Sequence, residues 1–232
     1  MYNDRGEITG IIGMLTDITD RKLANEQLKI SLKEKEALLK EVHHRVKNNL
    51  QIITSLLSLQ SNGIEDVRYA NMIKDSQNRI KSMALVHELL YKSKDLSRID
   101  ISEYLNSLTT NISRSYSHST GHVTLYTDIE EIRIDVDRAV PLGIIVTELV
   151  SNAYKYAFPE GMKGEIRVEL HRKEKKIILV ISDNGVGLPD CFQIEKTSTL
   201  GLQLVELLTQ QIDGTLEIDN TNQTIFRVSL PY

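Results

Sequence analysis

The sequence predicts an α+β chain: an antiparallel helical hairpin, forming a four-helix bundle as a dimer, followed by an α/β sandwich of helices on one face of a mixed sheet. Three observations predict it. Residues 20–61 contain no Gly or Pro and are dominated by Leu, Lys, Glu and Gln, all good helix formers. A second helical stretch, about 65–92, follows a stop at Asn62-Gly63. Beyond residue 100, helical and strand periodicities alternate in the order helix, strand, helix, two strands, helix, two strands.

Residues 1–19 hold a turn at Asp4-Arg5-Gly6 and one strand, too little to bury a core, so they are expected to be the tail of a domain lying upstream. In the first long helix Leu39, Val42, Val46, Leu50, Ile53 and Leu57 recur at three- and four-residue spacing, which predicts one apolar stripe. In the second, Tyr69, Met72, Ile73, Ile80, Met83, Ala84, His87, Leu90 and Tyr91 fall near one face. Two helices alone bury little, and pairing two hairpins solves that, so a homodimer is expected. Residues 93–100 are polar and predict a linker. The expected division is therefore 1–19, 20–93 and 94–232. In the last part a helix starts near Asp100 or Ser102 and a strand covers 122–129. A strongly apolar helix runs over 137–158, with Pro141 in or near its first turn. A hairpin occupies 164–185, a helix stopped by Gly214 covers 200–214, and a closing hairpin ends at Pro231.

The totals exclude several classes. Of 232 residues, 41% are apolar and 26% charged, as in a globular protein. A net charge of −4 gives no electrostatic case for nucleic acid, and the absence of Trp with 5% aromatics gives none for base stacking. The single cysteine, Cys191, forms no internal disulfide, so a reducing, cytoplasmic compartment is expected. No apolar run reaches the roughly 18 residues of a membrane span.

Three segments carry chemistry. The stretch "DNGVG", 183–187, follows a β-rich run and places a carboxylate at a sheet edge beside flexible backbone. Such a carboxylate accepts a hydrogen bond from an exocyclic amine, and the glycines let backbone approach a flat ring or phosphates. Upstream, in "ELVSNAYKY", Glu148, Asn152 and Lys155 share one helical face of an otherwise apolar helix. An amide oxygen can ligate Mg²⁺, and a lysine can neutralise phosphate oxygens. In "TSTLGLQLV", 197–205, a small-residue loop leads into a helix whose free N–H groups suit an anion. Each alone also describes an ordinary turn, polar stripe or loop–helix junction; their order makes them specific.

Together "ELVSNAYKY", "DNGVG" and "TLGLQLV" resemble the N, G1 and G2 boxes of the GHKL ATPase superfamily, and "HRVKNNLQ" resembles the acceptor motif of sensor histidine kinases in which the reactive histidine precedes arginine. "TDITDRKLANEQLK" resembles the exit of a PAS sensor domain into a signalling helix. The resemblance implies ATP and Mg²⁺ as cofactors. By it, Asn152 holds the metal, Glu148 orients a water or ligand near it, and Lys155 faces the phosphates. Asp183 binds the adenine amine, Gly185 and Gly187 shape the base pocket, and Gly201 forms the lid junction. This sequence departs from the longer pattern by having one glycine in its G2 segment and a short stretch from Leu188 to Thr199, with Phe192 but no evident phenylalanine box. It implies a sensor histidine kinase of a two-component system, with a response-regulator receiver domain as partner. The alternatives are a GHKL ATPase or serine kinase, against which the HRVKN helix argues, and a non-catalytic dimeric scaffold, against which Glu148, Asn152 and Asp183 argue.

The sequence "KEVHHRVKNNLQI" presents two adjacent histidines. At about 100° per residue, His43 lies some 60° from the centre of the apolar stripe and His44 about 160° away. An acceptor must be reached by ATP held on another domain, which selects His44; the family pattern selects the same residue. His43 is expected to be a packing residue. A histidine is mostly neutral at cytosolic pH, so one ring nitrogen can attack the γ-phosphorus in line, with positioning and charge supplying most of the catalysis. Asn48, one turn on, is either the residue that positions a water for dephosphorylating the partner or a solvated side chain. Arg45 and Lys47 either stabilise phosphate charge or are plain surface charges. His87-Glu88 repeats a commoner acceptor dipeptide but lies near an apolar stripe and is expected to pack at the core edge. His118, His122 and His171 have no partners at ligand spacing. Asp17, Asp20 and Arg21 sit at a strand-to-helix junction through which an upstream sensor would act.

Overall fold

The computed structural model describes residues 17–61, 63–64, 66–92, 95, 97–116, 122–159, 162–189 and 200–232. The turn and most of the strand expected in 1–19, together with Asn62, His118, Cys191 and Phe192, lie outside the described residues. The chain divides into two compact units, 1–39 and 40–232. In the first, every described residue is exposed.

Helix α1, Thr19–Ser61, opens where the Asp17 carboxylate accepts the Thr19 N–H at 2.9 Å. After the turn at Gly63, the Asp66 carboxylate accepts the Arg68 N–H at 2.8 Å and starts α2, Val67–Lys92. The expected apolar stripe of α1 is split: Val46, Leu50 and Leu57 are half-buried, whereas Leu39, Val42 and Ile53 are exposed. The inward line is rotated and contains His43, the buried residue of the helix, then Lys47, Leu50, Thr54 and Leu57. One chain thus leaves an apolar edge uncovered.

Helix α2 also differs from expectation. Tyr69 and Met72 are exposed, and Ser82, Val86 and Leu90 are fully buried. Asp75, Arg79, Ser82, Val86 and Leu90 form a second line at four- and three-residue spacing. Val86 and Leu90 belong to the same core as Tyr104, Leu105 and Leu142.

The polar stretch expected as a linker ends in β1, Arg98–Asp100, which pairs antiparallel with β3, Arg133–Asp135. Both strands read Arg-Ile-Asp, and each aspartate caps the next helix. Asp100 accepts the Ser102 N–H at 2.9 Å at the start of α3, Ile101–Tyr116; Asp135 accepts the Arg138 N–H at 3.0 Å at the start of α4, Val136–Asn152. Because Asp135 caps α4, Pro141 falls in its second turn. A π-helical turn, Ala153–Ala157, continues α4; such turns recur at functional sites.

The main sheet runs β2 (Val123–Ile129), β4 (Gly164–Lys173), β5 (Lys176–Asp183), β7 (Thr224–Pro231), β6 (Thr215–Asp219). The β2–β4 pair is parallel and the others antiparallel, so the sheet is mixed, as predicted. Alternate residues such as Ile166, Val168 and Leu170, and Ile177, Leu179 and Ile181, are buried in one core with α3, α4 and α5 (Leu200–Gln211). Each fully buried Ile or Leu contributes roughly 1.5–3 kcal/mol. Helix α4 buries most of its length because it lies centrally in this layer, and Tyr104 fills the space that a side chain at Gly143 would need.

Candidate functional site

His44 is exposed on α1, as its angular position predicts, and its ring lies 5.6 Å from that of Tyr91 on α2. His43 is buried against the hairpin partner, its Nδ1 3.0 Å from that of His87. At 3.0 Å one Nδ1–H donates to the lone pair of the other. Lys47 meets Glu88 at 3.1 Å, and Glu88 meets Lys92 at 2.7 Å. Those two cations, Lys92 foremost, hold the Glu88 carboxyl below the usual range. Arg45 pairs with Glu41 on the solvent side at 2.7 Å, and Asn48 is exposed. An open cleft of about 710 Å³ lies one turn from His44, bounded by Lys47 and Thr54 of α1, Lys81 and Leu85 of α2, and Asn111 of α3. It is separate from the Asp183–Gly187 loop.

Asp183, the last residue of β5, is buried. Its carboxylate accepts the Gly185 N–H at 3.0 Å and a hydrogen bond from the Thr224 hydroxyl, both neutral donors. Burial raises its pKa, and these hydrogen bonds only partly offset that. The loop is pressed against the end of α4: Val186 N–H donates to Ala157 O at 2.9 Å, and a Cβ at Gly185 would lie 2.2 Å from the same oxygen. Gly187 has φ +79°, a conformation that favours glycine. Asn220, in the β6–β7 turn, clamps the next residue from both sides. Its Oδ1 accepts the Leu188 N–H and its Nδ2 donates to the Leu188 carbonyl, each at 2.9 Å. Tyr156, adjacent to Ala157, is exposed.

The polar face of α4 meets α2. Glu148 is 6% exposed and takes a bidentate hydrogen bond from Arg79, at 2.6 and 2.9 Å. Those bonds push the Arg79 guanidinium further up against the opposing effect of burial. Lys155 pairs with Asp75. Burial is the largest influence and works against the Lys155 charge, but the Asp75 hydrogen bond and the charges of Asp75 and its neighbours together exceed it and raise the pKa. Asn152, between them, is half-buried. A Cβ at Gly201, near the start of α5, would lie 2.5 Å from Glu148 Oε2. The structure therefore joins Glu148 to Gly201, and the Asp183–Gly187 loop to the end of α4 beside Lys155. His44 sits at the level of Tyr91, which is about 18 Å further along α2 than Arg79 at 1.5 Å per residue.

The residues fit an adenine nucleotide. A buried carboxylate held by neutral donors keeps lone pairs for an exocyclic amine, a glycine-containing loop follows it, and an amide and an ammonium lie along the end of α4. Sequence reasoning missed Asp75, Arg79, Thr224 and Asn220. The 75/79/82/86/90 spacing was a usable signal for the first two; the others gave none.

Residues 41–116 match the family described as Histidine kinase, and residues 137–232 match the family described as Histidine kinase-, DNA gyrase B-, and HSP90-like ATPase. The chain is 32% identical over 213 residues to sensor histidine kinase PdtaS of Mycobacterium tuberculosis, an alignment spanning 91% of this chain and 41% of that protein. It is 33% identical over 219 residues to PdtaS of Mycolicibacterium smegmatis, across 91% of this chain and 42% of that protein. The chain thus spans less than half the length of these relatives. In fold it resembles the histidine kinase domain of the Erythrobacter litoralis EL346 blue-light activated histidine kinase, with TM-score 0.65 and 22% identity, over 86% of this chain and 93% of that one. Among the described residues no helix is long and apolar enough to cross a membrane.

Proposed function

We infer that this chain, which belongs to the sensor histidine kinases and joins a histidine-kinase phosphoacceptor region to a GHKL-type ATPase domain, transfers the γ-phosphoryl group of ATP to its own His44 and then to an aspartate of a response-regulator receiver domain. The carrying observation is the pairing, in one chain, of an exposed imidazole on α1 with a buried carboxylate, Asp183, beside a glycine loop. Asp183 accepts from the adenine amine, and Gly185 and Gly187 let the ring approach. Lys155 offsets phosphate charge, Glu148 orients the ligands on the phosphate side, and Gly201 leaves room where α5 begins. Mg²⁺, held by Asn152, would neutralise the transferring phosphate. A ring nitrogen of His44 attacks phosphorus in line, the bond to the ADP oxygen breaks, and the nitrogen's bond to phosphorus leaves a labile phosphoramidate. Asn48, exposed one turn beyond His44, holds a water during dephosphorylation of the partner.

The working protein is a cytoplasmic homodimer, whose hairpins cover the apolar edge left by Val42, Ile53, Leu56, Tyr69 and Met72. The division 1–19, 20–93 and 94–232 corresponds to a PAS remnant, a dimerisation and phosphotransfer hairpin, and a catalytic domain. The capped junction at Asp17 passes the sensor's shift into α1, so Asp17→Ala in the full-length protein uncouples signalling. The decisive experiment uses γ-labelled ATP with Mg²⁺. Label that is acid-labile and base-stable, and absent from His44→Gln while nucleotide binding persists, supports the reading; acid-stable label, or label retained by His44→Gln, overturns it.

A further inference from the structure

Two ion pairs tie α2 to the polar face of α4, and they run in opposite chain order: Asp75 to Lys155 and Arg79 to Glu148. We propose that Asp75 and Arg79 stand in for the nucleotide, the Asp75 carboxylate taking the place of a phosphate oxygen on Lys155 and the Arg79 guanidinium taking the place of a cation beside Glu148. Docking of α2 on α4 and binding of Mg²⁺–ATP are then mutually exclusive. The inference rests on reading 148–155 as the phosphate side of the nucleotide site.

Three observations carry it. First, the pairs use the charges that a metal-bound triphosphate would need. Glu148 is engaged through both oxygens, and Lys155 is engaged by a carboxylate. Neither group can serve phosphate or metal without releasing α2. Second, Arg79 stands where a cation is electrostatically misplaced. A Cβ at Gly201 would lie 3.9 Å from Arg79 Nη2, so the guanidinium approaches the N-terminal end of α5. That end carries positive partial charge and favours anions. Glu148 holds Arg79 there against that partial charge through both of its oxygens. Third, the docked face lies at the wrong level for transfer. Arg79 is three turns, about 18 Å, from the level of Tyr91 and His44 along α2, and Asp75 is about 24 Å away. A nucleotide seated on α4 in this arrangement would present its phosphates well away from His44. Displacement of Asp75 and Arg79 thus both opens the site and releases it to travel.

The same pairs explain why each substitution acts alone. Removing one member of a part-buried ion pair leaves its partner charge unpaired, which favours undocking. Asp75→Asn frees Lys155 for phosphate, and Arg79→Gln frees Glu148 for the metal side.

The test measures binding of a fluorescent non-hydrolysable ATP analogue with Mg²⁺ to the full chain. Asp75→Asn and Arg79→Gln are each expected to bind about tenfold more tightly than wild type. The double variant is expected to gain less than the sum, because either break undocks the helix. Unchanged or weaker binding in both single variants overturns the proposal and makes the two residues structural or direct nucleotide contacts. Hydrogen exchange of wild type supplies a readout free of substitutions. Saturating Mg²⁺–analogue is expected to speed exchange of the α2 amides around 75–82, and unchanged or slower exchange there overturns the proposal. Asp183→Asn separates the two levels of inference. If wild type fails to bind the analogue, or Asp183→Asn binds it equally well, the nucleotide site itself is misassigned; if that control behaves and the α2 variants do not, only the docking proposal falls.

Discussion

The Nδ1 atoms of His43 and His87 lie 3.0 Å apart across the hairpin, beside the exposed ring of His44. That spacing accommodates one proton between the two nitrogens and excludes two. Burial first, and the charge of His43 second, lower the pKa of His87. A histidine whose folded pKa is depressed favours the folded state in its neutral form, so its contribution is present above the unfolded value and is lost as pH falls. The charged groups around the pair are Lys47, Glu88 and, through Glu88, Lys92. The cations Lys92 and Lys47 lower the Glu88 pKa, so it does not titrate in the histidine window. The melting temperature is therefore expected to fall between roughly pH 7 and pH 5. His87→Gln, which keeps a neutral donor, should flatten that fall. Scanning fluorimetry across this range checks it, and an unchanged slope in the variant removes the pair as its origin.

Asp183 predicts opposite effects on stability and on binding. Its pKa is raised by burial, with the Gly185 and Thr224 hydrogen bonds compensating in part. A carboxylate with a raised folded pKa favours folding when protonated, and that contribution is lost as pH rises through the folded value. At neutral pH the ionised group is a net burden on the fold. Asp183→Asn is expected to leave the melting temperature unchanged or raise it, while weakening adenine nucleotide binding roughly ten- to a hundredfold, the worth of a hydrogen bond to a charged group. In wild type, nucleotide affinity should drop on acidification at a higher pH than an ordinary carboxylate would give. Calorimetric titrations at two pH values, with melts of both proteins, test this; a variant that is less stable yet binds normally contradicts it.

The junction of α2, α3 and α4 depends on Gly143. Tyr104 is fully buried against it, and its hydroxyl donates to the Ser82 carbonyl at 3.1 Å. An added Cβ at position 143 would lie 1.8 Å from the phenol oxygen. Alanine gains about 1 kcal/mol of helix propensity over glycine, but the ring has no solvent side into which to swing, so overpacking wins. Gly143→Ala is expected to destabilise the chain by about 1–3 kcal/mol. Tyr104→Phe is expected to lose about 0.5–1.5 kcal/mol with the hydroxyl's hydrogen bond, since the Ser82 carbonyl lies within α2 and keeps its helical partner. Urea unfolding measures both. A Gly143→Ala variant as stable as wild type would show that the three helices separate easily.

The legibility of the molecule in its sequence followed the range of the interactions. The exposure of His44 was readable from helical periodicity, because exposure on a helix is set by a few turns of local pattern, and the family pattern picked out the same residue. The element order and mixed sheet were readable for the same reason. The twin Arg-Ile-Asp strands were missed because three-residue strands carry no period. The rotation of α1, which buries His43 instead of the centre of the apolar stripe, depends on what α2 offers across the hairpin. Arg79–Glu148 joins residues 69 apart, and only tertiary packing decides that these charges meet. The 75/79/82/86/90 line was present in the sequence, but its two charges hid it from a search for apolar residues.

Asn220 is a residue that no motif would select, yet it fixes the exit of the glycine loop. By accepting from Leu188 N–H and donating to Leu188 C=O it imitates a neighbouring strand at a point where β5 has already ended. Gly187, one residue earlier, holds φ +79°, and Asn220 Oδ1 sits 3.1 Å from where its Cβ would be. Without the amide, the loop loses two hydrogen bonds that define how Gly185 and Gly187 face a base. Each is worth about 0.5–1.5 kcal/mol, and that loss is carried mainly by the loop, since Asn220 is on the surface. Asn220→Ala is therefore expected to raise KM for ATP about tenfold with little change in kcat. Asn220→Asp keeps the acceptor and loses the donor, and should fall between the two. Steady-state autophosphorylation with varied ATP measures the split. A fall in kcat at constant KM would place Asn220 in the transfer step and not in the shape of the base pocket.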